Sequence, residues 1–501
     1  MVTASLIGLP LVFALLLLFT KGDGVKRIAL AASIIEFVLC IVAYFLLHKS
    51  QTLNTGDERL WMNVIWINSL GVNFNIALDG ISMVLVFLTC FLVPLIILSG
   101  FDRKRENPSL FYALIMFMQM ALIGVFVAQD GFLFYIFWEL ALIPIYFICL
   151  MWGGENRGQI TFKFFVYTLA GSLFMLAALI YLYLNTSLGE TGIHTFNLQA
   201  LIDAGHGLTA SEQTYVFWGL LLAFAIKMPI FPFHTWQPDT YHTAPTQGTM
   251  LLSGIMLKMG TFGLLRWLLP MTPLALQEWG PTVVVLSIIS IVYASMMAIA
   301  QKDFKRMIAY SSIAHVGLIA AGIMAFIPGE SNTEGITGSI VQMFSHGINV
   351  VGLFFIADII FSRMGTFEMS KLGGIRNIAP KFTSLFLIIM MGAVALPLTN
   401  GFVGEFLLIT GVYKYSAIAA AFAGLTIILG AVYMLRGFQT IMLGETKSNA
   451  SSFTPLTTSE STVLIVIAAA VIFFGIYPKP ILELVQHDVQ QLVESIKIVH
   501  L

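Results

Sequence analysis

FWGLLLAFAIKMPIFPFH (217–234) and TQGTMLLSGIMLKMGTFGLL (246–265) each carry one lysine near the middle of a long apolar run. An ammonium at bilayer depth costs about 2.5–3.5 kcal/mol on insertion scales. Such a residue persists only where it faces a protein interior or water, usually with an ion or proton to move. Lys227 and Lys258 therefore place the surrounding chain in a membrane and mark it as functional. Outward from them, Glu139 lies in a further run, FLFYIFWELALIPIYF, and Glu405 follows an interrupted one, LPLTNGFVGEF.

The rest of the chain agrees with a membrane setting. Hydrophobic residues make up 58% of the 501 and charged ones 10%, with mean hydropathy +0.90. Soluble domains carry a charged share of about a quarter. The reading is an all-α polytopic membrane protein. A net charge of −1 gives no footing for nucleic-acid binding. Cys40, Cys90 and Cys149 sit in apolar runs without metal or disulfide spacing and read as small core residues. No dinucleotide fingerprint, Walker loop or cysteine series for an iron–sulfur cluster occurs, so no cofactor or metal is expected in this chain. The run 2–20 lacks a basic segment before it and reads as a first span, not a cleaved signal.

Apolar runs of spanning length fall near 2–20, 27–48, 79–100, 110–129, 131–153, 163–185, 214–234, 244–270, 282–300, 304–327, 337–361, 382–411, 415–442 and 461–477, about fourteen helices. Loops after odd-numbered spans hold Lys21, Lys26 and Arg27, then Arg103, Lys104 and Arg105, then Arg157. The later odd loops hold Lys302, Lys305 and Arg306, then Arg363, Lys371, Arg376 and Lys381, then Lys447. Loops after even-numbered spans hold Lys49, Arg59 and Lys414. The positive-inside bias puts odd loops in the cytoplasm and both termini on the periplasmic side.

Pro229 and Pro232 break span seven just after Lys227, and Pro397 to Gly401 interrupt span twelve just before Glu405. Spans 4–8 and 9–13 thus form two sets of five, each broken in its fourth member. An odd number makes successive sets enter from opposite sides, which is an inverted repeat of the transporter kind. The expected organisation is one membrane domain, 1–501, with N-terminal helices in 1–109 and the first repeat in 110–270. The second repeat occupies 282–442, and the last helix and tail 461–501.

Glu139 in apolar surroundings calls for a cation, and Lys227 is the natural one. Such a pair either pins two helices or exchanges, its separation tuning the proton affinity of the lysine. Lys258 has no carboxylate in its own span and lies about halfway along it, which favours a water-connected proton site over snorkelling. Arg266, nearer the helix end, is expected to snorkel. His234, His315 and His346 pass protons through either ring nitrogen; a relay between the lysines and simple helix–helix hydrogen bonding are equally open. No two of them stand at metal-ligand spacing. Glu405 reads as an exit carboxylate and also as a cap for the second half-helix. Lys163 is an interfacial anchor or a relay member. Asp303 with Lys302, Lys305 and Arg306 reads as a solvated cytoplasmic turn, and Asp79 and Asp130 as helix caps. Asp358 and Arg436 are undecided.

FWELALIPIYF, KFFVYT, AFAIKMPIFPFHTWQPDTYHTAPT, LLSGIMLKMGTFGLLR, DFKRMIAYSSIAHVG and GFVGEF resemble the antiporter-like subunits of respiratory complex I. The likeness runs over about 75–480 and is to the M-type chain of bacterial NADH:quinone oxidoreductase, the subunit-4 chain of mitochondria. Gln237 and Thr240 stand where that family usually has Leu and Ala. Glu405 separates the chain from the N-type, which carries lysine there, and the short tail leaves no room for the long lateral helix of the L-type.

The resemblance implies fourteen helices, a Glu139–Lys227 pair, Lys258 as central lysine, Glu405 as terminal residue, and His234, His315 and His346 between them. It implies proton translocation driven by quinone reduction elsewhere, with NADH, FMN, iron–sulfur clusters and quinone held by other subunits. The implied partners are L-type and N-type chains and lipids, in a bacterial inner membrane. The rival readings are a subunit of a multi-protein sodium/proton antiporter, the membrane arm of a hydrogenase, and a passive spacer.

Overall fold

Within a bilayer no water is present to satisfy backbone N–H and C=O groups, so a spanning segment bonds to itself as helix. The computed structural model describes residues 1–22, 24–53, 57–188, 192–327, 332–447 and 453–497. All the apolar runs are helical in it. The chain opens with α1 (Val2–Phe19), α2 (Gly24–Leu53), α3 (Gly80–Ser99), α4 (Pro108–Val127), α5 (Gly131–Trp152) and α6 (Arg157–Leu184). A short α7 (Leu198–Gly207) precedes α8 (Ala210–Lys227), α9 (Gln237–Thr243) and the long α10 (Thr246–Met271). Then come α11 (Pro273–Ala300), α12 (Phe304–Met324), α13 (Thr333–Met364), α14 (Pro380–Ala393) and α15 (Asn400–Tyr415). The chain closes with α16 (Ala417–Met442), α17 (Thr458–Ile476) and α18 (Lys479–Lys497). Among the described residues, 12 helices are long and apolar enough to cross a membrane. The α8–α9 and α14–α15 segments are the two interrupted at proline. Of the expected tail, 498–501 lies outside the described residues.

Asp79 and Asp130 are caps, as expected. Asp79 forms a capping box with Ser82 at the start of α3, and Asp130 accepts from the amides of Phe132 and Leu133 at 3.0 and 3.1 Å. Three elements escape the hydropathy reading. An antiparallel hairpin, β1 (Trp61–Ile67) and β2 (Val72–Ala77), precedes α3. Its alternation of apolar and polar residues lowers the local hydropathy below a span signal. α7 and α18 are amphipathic and lie outside the spans. In α18 Ile481, Leu484, Val485, Val489, Val493 and Ile496 are buried at helical spacing, while the rest of the helix is polar.

Burial separates two kinds of helix. Only 33% of the spanning window of α1 and of α2 is buried, against 100% for α10, 94% for α12 and 89% for α13. The helices carrying Lys258, His315 and His346 are thus enclosed by other helices. A charged side chain on them faces protein.

Candidate functional site: a buried line of lysine, histidine and glutamate

Lys258 lies in the middle of α10, where the backbone departs from α geometry in two π turns, Leu252–Met256 and Leu264–Leu268. In the first, the Leu257 amide donates to the Leu252 carbonyl at 3.0 Å, one residue further back than in an α-helix. The Ser253 carbonyl is thereby released from that amide, and it accepts from Lys258 Nζ at 2.7 Å. The same Nζ lies 2.9 Å from His346 Nδ1 on α13. Lys258 was expected to lack a partner; tertiary structure supplies an imidazole. Two basic groups at this distance share one proton favourably and two unfavourably. α10 and α13 approach closely here because glycines face each other. A Cβ on Gly347 would stand 2.8 Å from the Gly254 carbonyl oxygen.

The line continues on α12. The rings of His346 and His315 stand 5.8 Å apart. His315 Nδ1 faces the Ser311 carbonyl at 2.8 Å, and Nε2 faces the Ala393 carbonyl at 3.1 Å and Glu405 Oε1 at 3.3 Å. Every one of these neighbours accepts and none donates, so both ring nitrogens are placed to carry hydrogen, as in an imidazolium. The break after α14 makes this possible, because Ala393 is the last residue of α14 and its carbonyl has no following helical amide. Ala395 and Leu398, in the link, adopt left-handed φ of 55° and 73°, strained for side chains with a Cβ.

Glu405 is 1% exposed and also accepts from Gln342 Nε2 at 3.1 Å. The capping role expected for Glu405 is not found: Thr399 holds the N-cap position of α15, and Glu405 sits further along the helix. Beside His315 and His346 lies a cavity of about 10 Å³, bordered by Gln342 and Asn349, close to the least space one water needs.

The second cluster is different. α8 ends at Lys227, which is 3% exposed, and its Nζ has no hydrogen-bond partner. It stands 5.3 Å from the centroid of the Trp138 ring. Glu139 Oε1 is buried and equally without a partner. The expected Glu139–Lys227 pair is therefore open in this structure: no ionic contact within 4.0 Å joins them. His234 is 4% exposed with Nδ1 unpartnered, its ring 5.0 Å from Tyr293 and 5.8 Å from Phe231. No hydrogen bond links it to Lys258 or His315 among the described residues, so a continuous three-histidine relay is not found. Lys163 donates to the Thr235 carbonyl at 2.9 Å and lies 3.6 Å from Asp239, holding the link between α8 and α9. It touches neither lysine of the line.

Other expectations need correcting. Arg266 does not snorkel; it pairs with Asp79 at the start of α3. Lys305 is not solvated; it is 4% exposed and donates to the carbonyls of His242 and Ala244 at 3.0 and 2.9 Å. Asp358 pairs with Arg103 at 2.8 Å and accepts from Thr246 at 2.5 Å, and Arg436 reaches the Ile299 carbonyl at 3.5 Å. The thiols of Cys40 and Cys90, distant in sequence, meet. No cluster that could hold a metal occurs among the described residues.

Asp303 caps α12, accepting from the Arg306 amide at 2.9 Å and facing His242 Nε2 at 3.1 Å. Burial pushes its carboxyl up, but the hydrogen bonds from His242 and Arg306 and their charges outweigh this and bring it below the usual range. A depressed carboxylate stabilises the fold above its unfolded value and loses that contribution as pH falls through the folded value. Asp303→Asn is thus expected to unfold more readily than wild type at neutral pH in detergent. The gap should close as pH falls below about 4. A gap independent of pH would assign the effect to packing.

Comparison with known proteins places this geometry. The family described as NADH:quinone oxidoreductase/Mrp antiporter, TM, matches residues 128–430, and NADH-ubiquinone oxidoreductase chain 4, amino terminus, matches 6–125. NADH-quinone oxidoreductase subunit M of Rickettsia prowazekii is 38% identical over 490 residues, 97% of each chain. F(420)H(2) dehydrogenase subunit M of Methanosarcina mazei is 35% identical over 98% of each. A chain of respiratory complex I from Thermus thermophilus superposes with TM-score 0.88 at 29% identity, over 99% of this chain and 100% of that one. The chain belongs to the NADH:quinone oxidoreductase/Mrp antiporter membrane family, as an M-type, antiporter-like member of the complex I kind.

Proposed function

We propose that this chain moves protons across the membrane as a non-redox subunit of a respiratory NADH:quinone oxidoreductase, along its buried line of ionisable side chains. The observation that carries the reading is the sequence of contacts Lys258–His346–His315–Glu405, drawn from α10, α13, α12 and α15. Each step lies within, or one water beyond, hydrogen-bond reach.

Electron transfer elsewhere changes the charge near Glu139. Closing or opening the gap to Lys227 alters how firmly that lysine holds its proton, because an opposite charge within about 4–6 Å favours the ammonium. Lys258 and His346 exchange one proton across 2.9 Å. His315 hands it to Glu405 across 3.3 Å. Break flexibility at α8–α9 and α14–α15 lets these distances change without unwinding intact spans.

The finer features of this reading are two inverted five-helix repeats within fourteen spans and both termini on the periplasmic face of a bacterial inner membrane. L-type and N-type chains flank the subunit, and NADH, FMN, iron–sulfur clusters and quinone reside in other subunits. His234 and Lys163 serve the proton path at the α8–α9 break. The positive-inside loops and the matched proline breaks support the topology.

Purification of the tagged chain from native membranes is expected to bring peripheral NADH-oxidising subunits and NADH:quinone activity with it. Recovery with small antiporter subunits, or with a peripheral arm using another electron donor, would replace this assignment. The methanogen relative makes the latter outcome specific.

A further inference from the structure

Glu36 takes no part in the line just described. It lies near the middle of α2 on the inward stripe Ala29, Ala32, Ser33, Glu36, Cys40, Ala43, and it is 0% exposed. Neither carboxyl oxygen has a hydrogen-bond partner, and the Gln119 Oε1 atom on α4 is orphaned in the same way. Gln119 Nε2 points at Cys90 Sγ on α3 at 4.0 Å, and the Cys90 thiol meets Cys40 and interacts electrostatically with Glu36. α2 packs against α1, α3 and α4. Those three helices read VTASLIGLPLVFALLLLF, GISMVLVFLTCFLVPLIILS and PSLFYALIMFMQMALIGVFV, without one Asp, Glu, Lys, Arg or His. The titratable groups facing Glu36 are thus the two thiols alone.

An ionised carboxylate needs a counterion or donors when buried, and none is available here. Orphaned acceptors with no donor among them call for a hydrogen. We propose that Glu36 is a proton-binding site: a carboxylic acid kept protonated at mid-membrane, beside Gln119 and the Cys40–Cys90 pair and apart from the Lys–His–Glu line. As an acid, its O–H is the donor this group lacks, and no charge remains to be compensated.

The test is hydrophobic carbodiimide labelling of the intact protein in native membranes, read by mass spectrometry of the peptide holding Glu36. The reagent adds across its C=N bond the O–H of a protonated carboxyl, and rearrangement leaves a stable acylurea. Glu36 is expected to label at neutral pH, equally with and without sodium chloride, and Glu36→Gln to lose the label. Labelling confined to acidic pH overturns the proposal, as does protection by sodium, which would make the ligand a metal cation. If Glu36 stays unlabelled at every pH, variants decide. Glu36→Gln, the uncharged isostere of the acid, must then accumulate within about twofold of wild type. A several-fold loss with Glu36→Gln would show that the charge itself is used and would end the proposal.

Discussion

Lys227→Ala is expected to leave the assembled complex at wild-type abundance while coupled NADH:quinone turnover and proton pumping fall about tenfold or more. A tenfold loss corresponds to about 1.4 kcal/mol of barrier, well below what an assembly defect would need to explain. The structural reason is that Lys227 is buried and holds no partner. Truncating one member of a made ion pair strands the other, which is destabilising; removing a charge that is already uncompensated has no such cost. Only packing along Trp138 is lost, and that contact is distant at 5.3 Å. Glu139→Gln should behave alike, since its Oε1 is orphaned as well. The measurement is proton uptake by inverted vesicles, normalised to complex content through NADH oxidation by an artificial acceptor. Wild-type pumping in both variants would make the chain a passive spacer.

The second large effect is expected at Lys258 and His346, and its signature is non-additivity. Lys258→Met, which keeps volume in a site of 0% exposure, should cut pumping about tenfold, and His346→Ala by a similar factor. The double variant should be no worse than either single one, because two groups at 2.9 Å hold one transferable proton between them. Independent sites would instead multiply, giving about a hundredfold loss. Unlike Lys227, Lys258 has structural contacts to lose: the Ser253 carbonyl and His346 would both be left without the ammonium. A stability comparison must therefore accompany this pair, and multiplicative losses in a stable protein would break the proposed proton step.

Much of this was legible in the chain before any coordinates. Apolar length gives the spans, since the bilayer admits little but helices. Lysines in mid-run locate function because their insertion cost excludes accident, and prolines mark both breaks because they lack a donor. Asp79 and Asp130 read correctly as caps from position alone. Elsewhere one-dimensional reading fails for definable reasons. The hairpin and α18 bury one face at modest mean hydropathy, which a span search passes over. Arg266 near a helix end looked free to snorkel, yet Asp79, 187 residues away, meets it.

What the sequence alone determined, then, is membrane residence, the helical runs, their breaks and the identity of the ionisable residues, all of which follow from local cost and local geometry. Partnership was decided only by tertiary structure. Lys258 meets His346 across 88 residues of chain, and His315 reaches the Ala393 carbonyl across 78. The Glu139–Lys227 gap stands open although both residues were read as a pair. A charge declares its cost wherever it stands in a sequence, but the group that relieves that cost is set by which helix packs beside it.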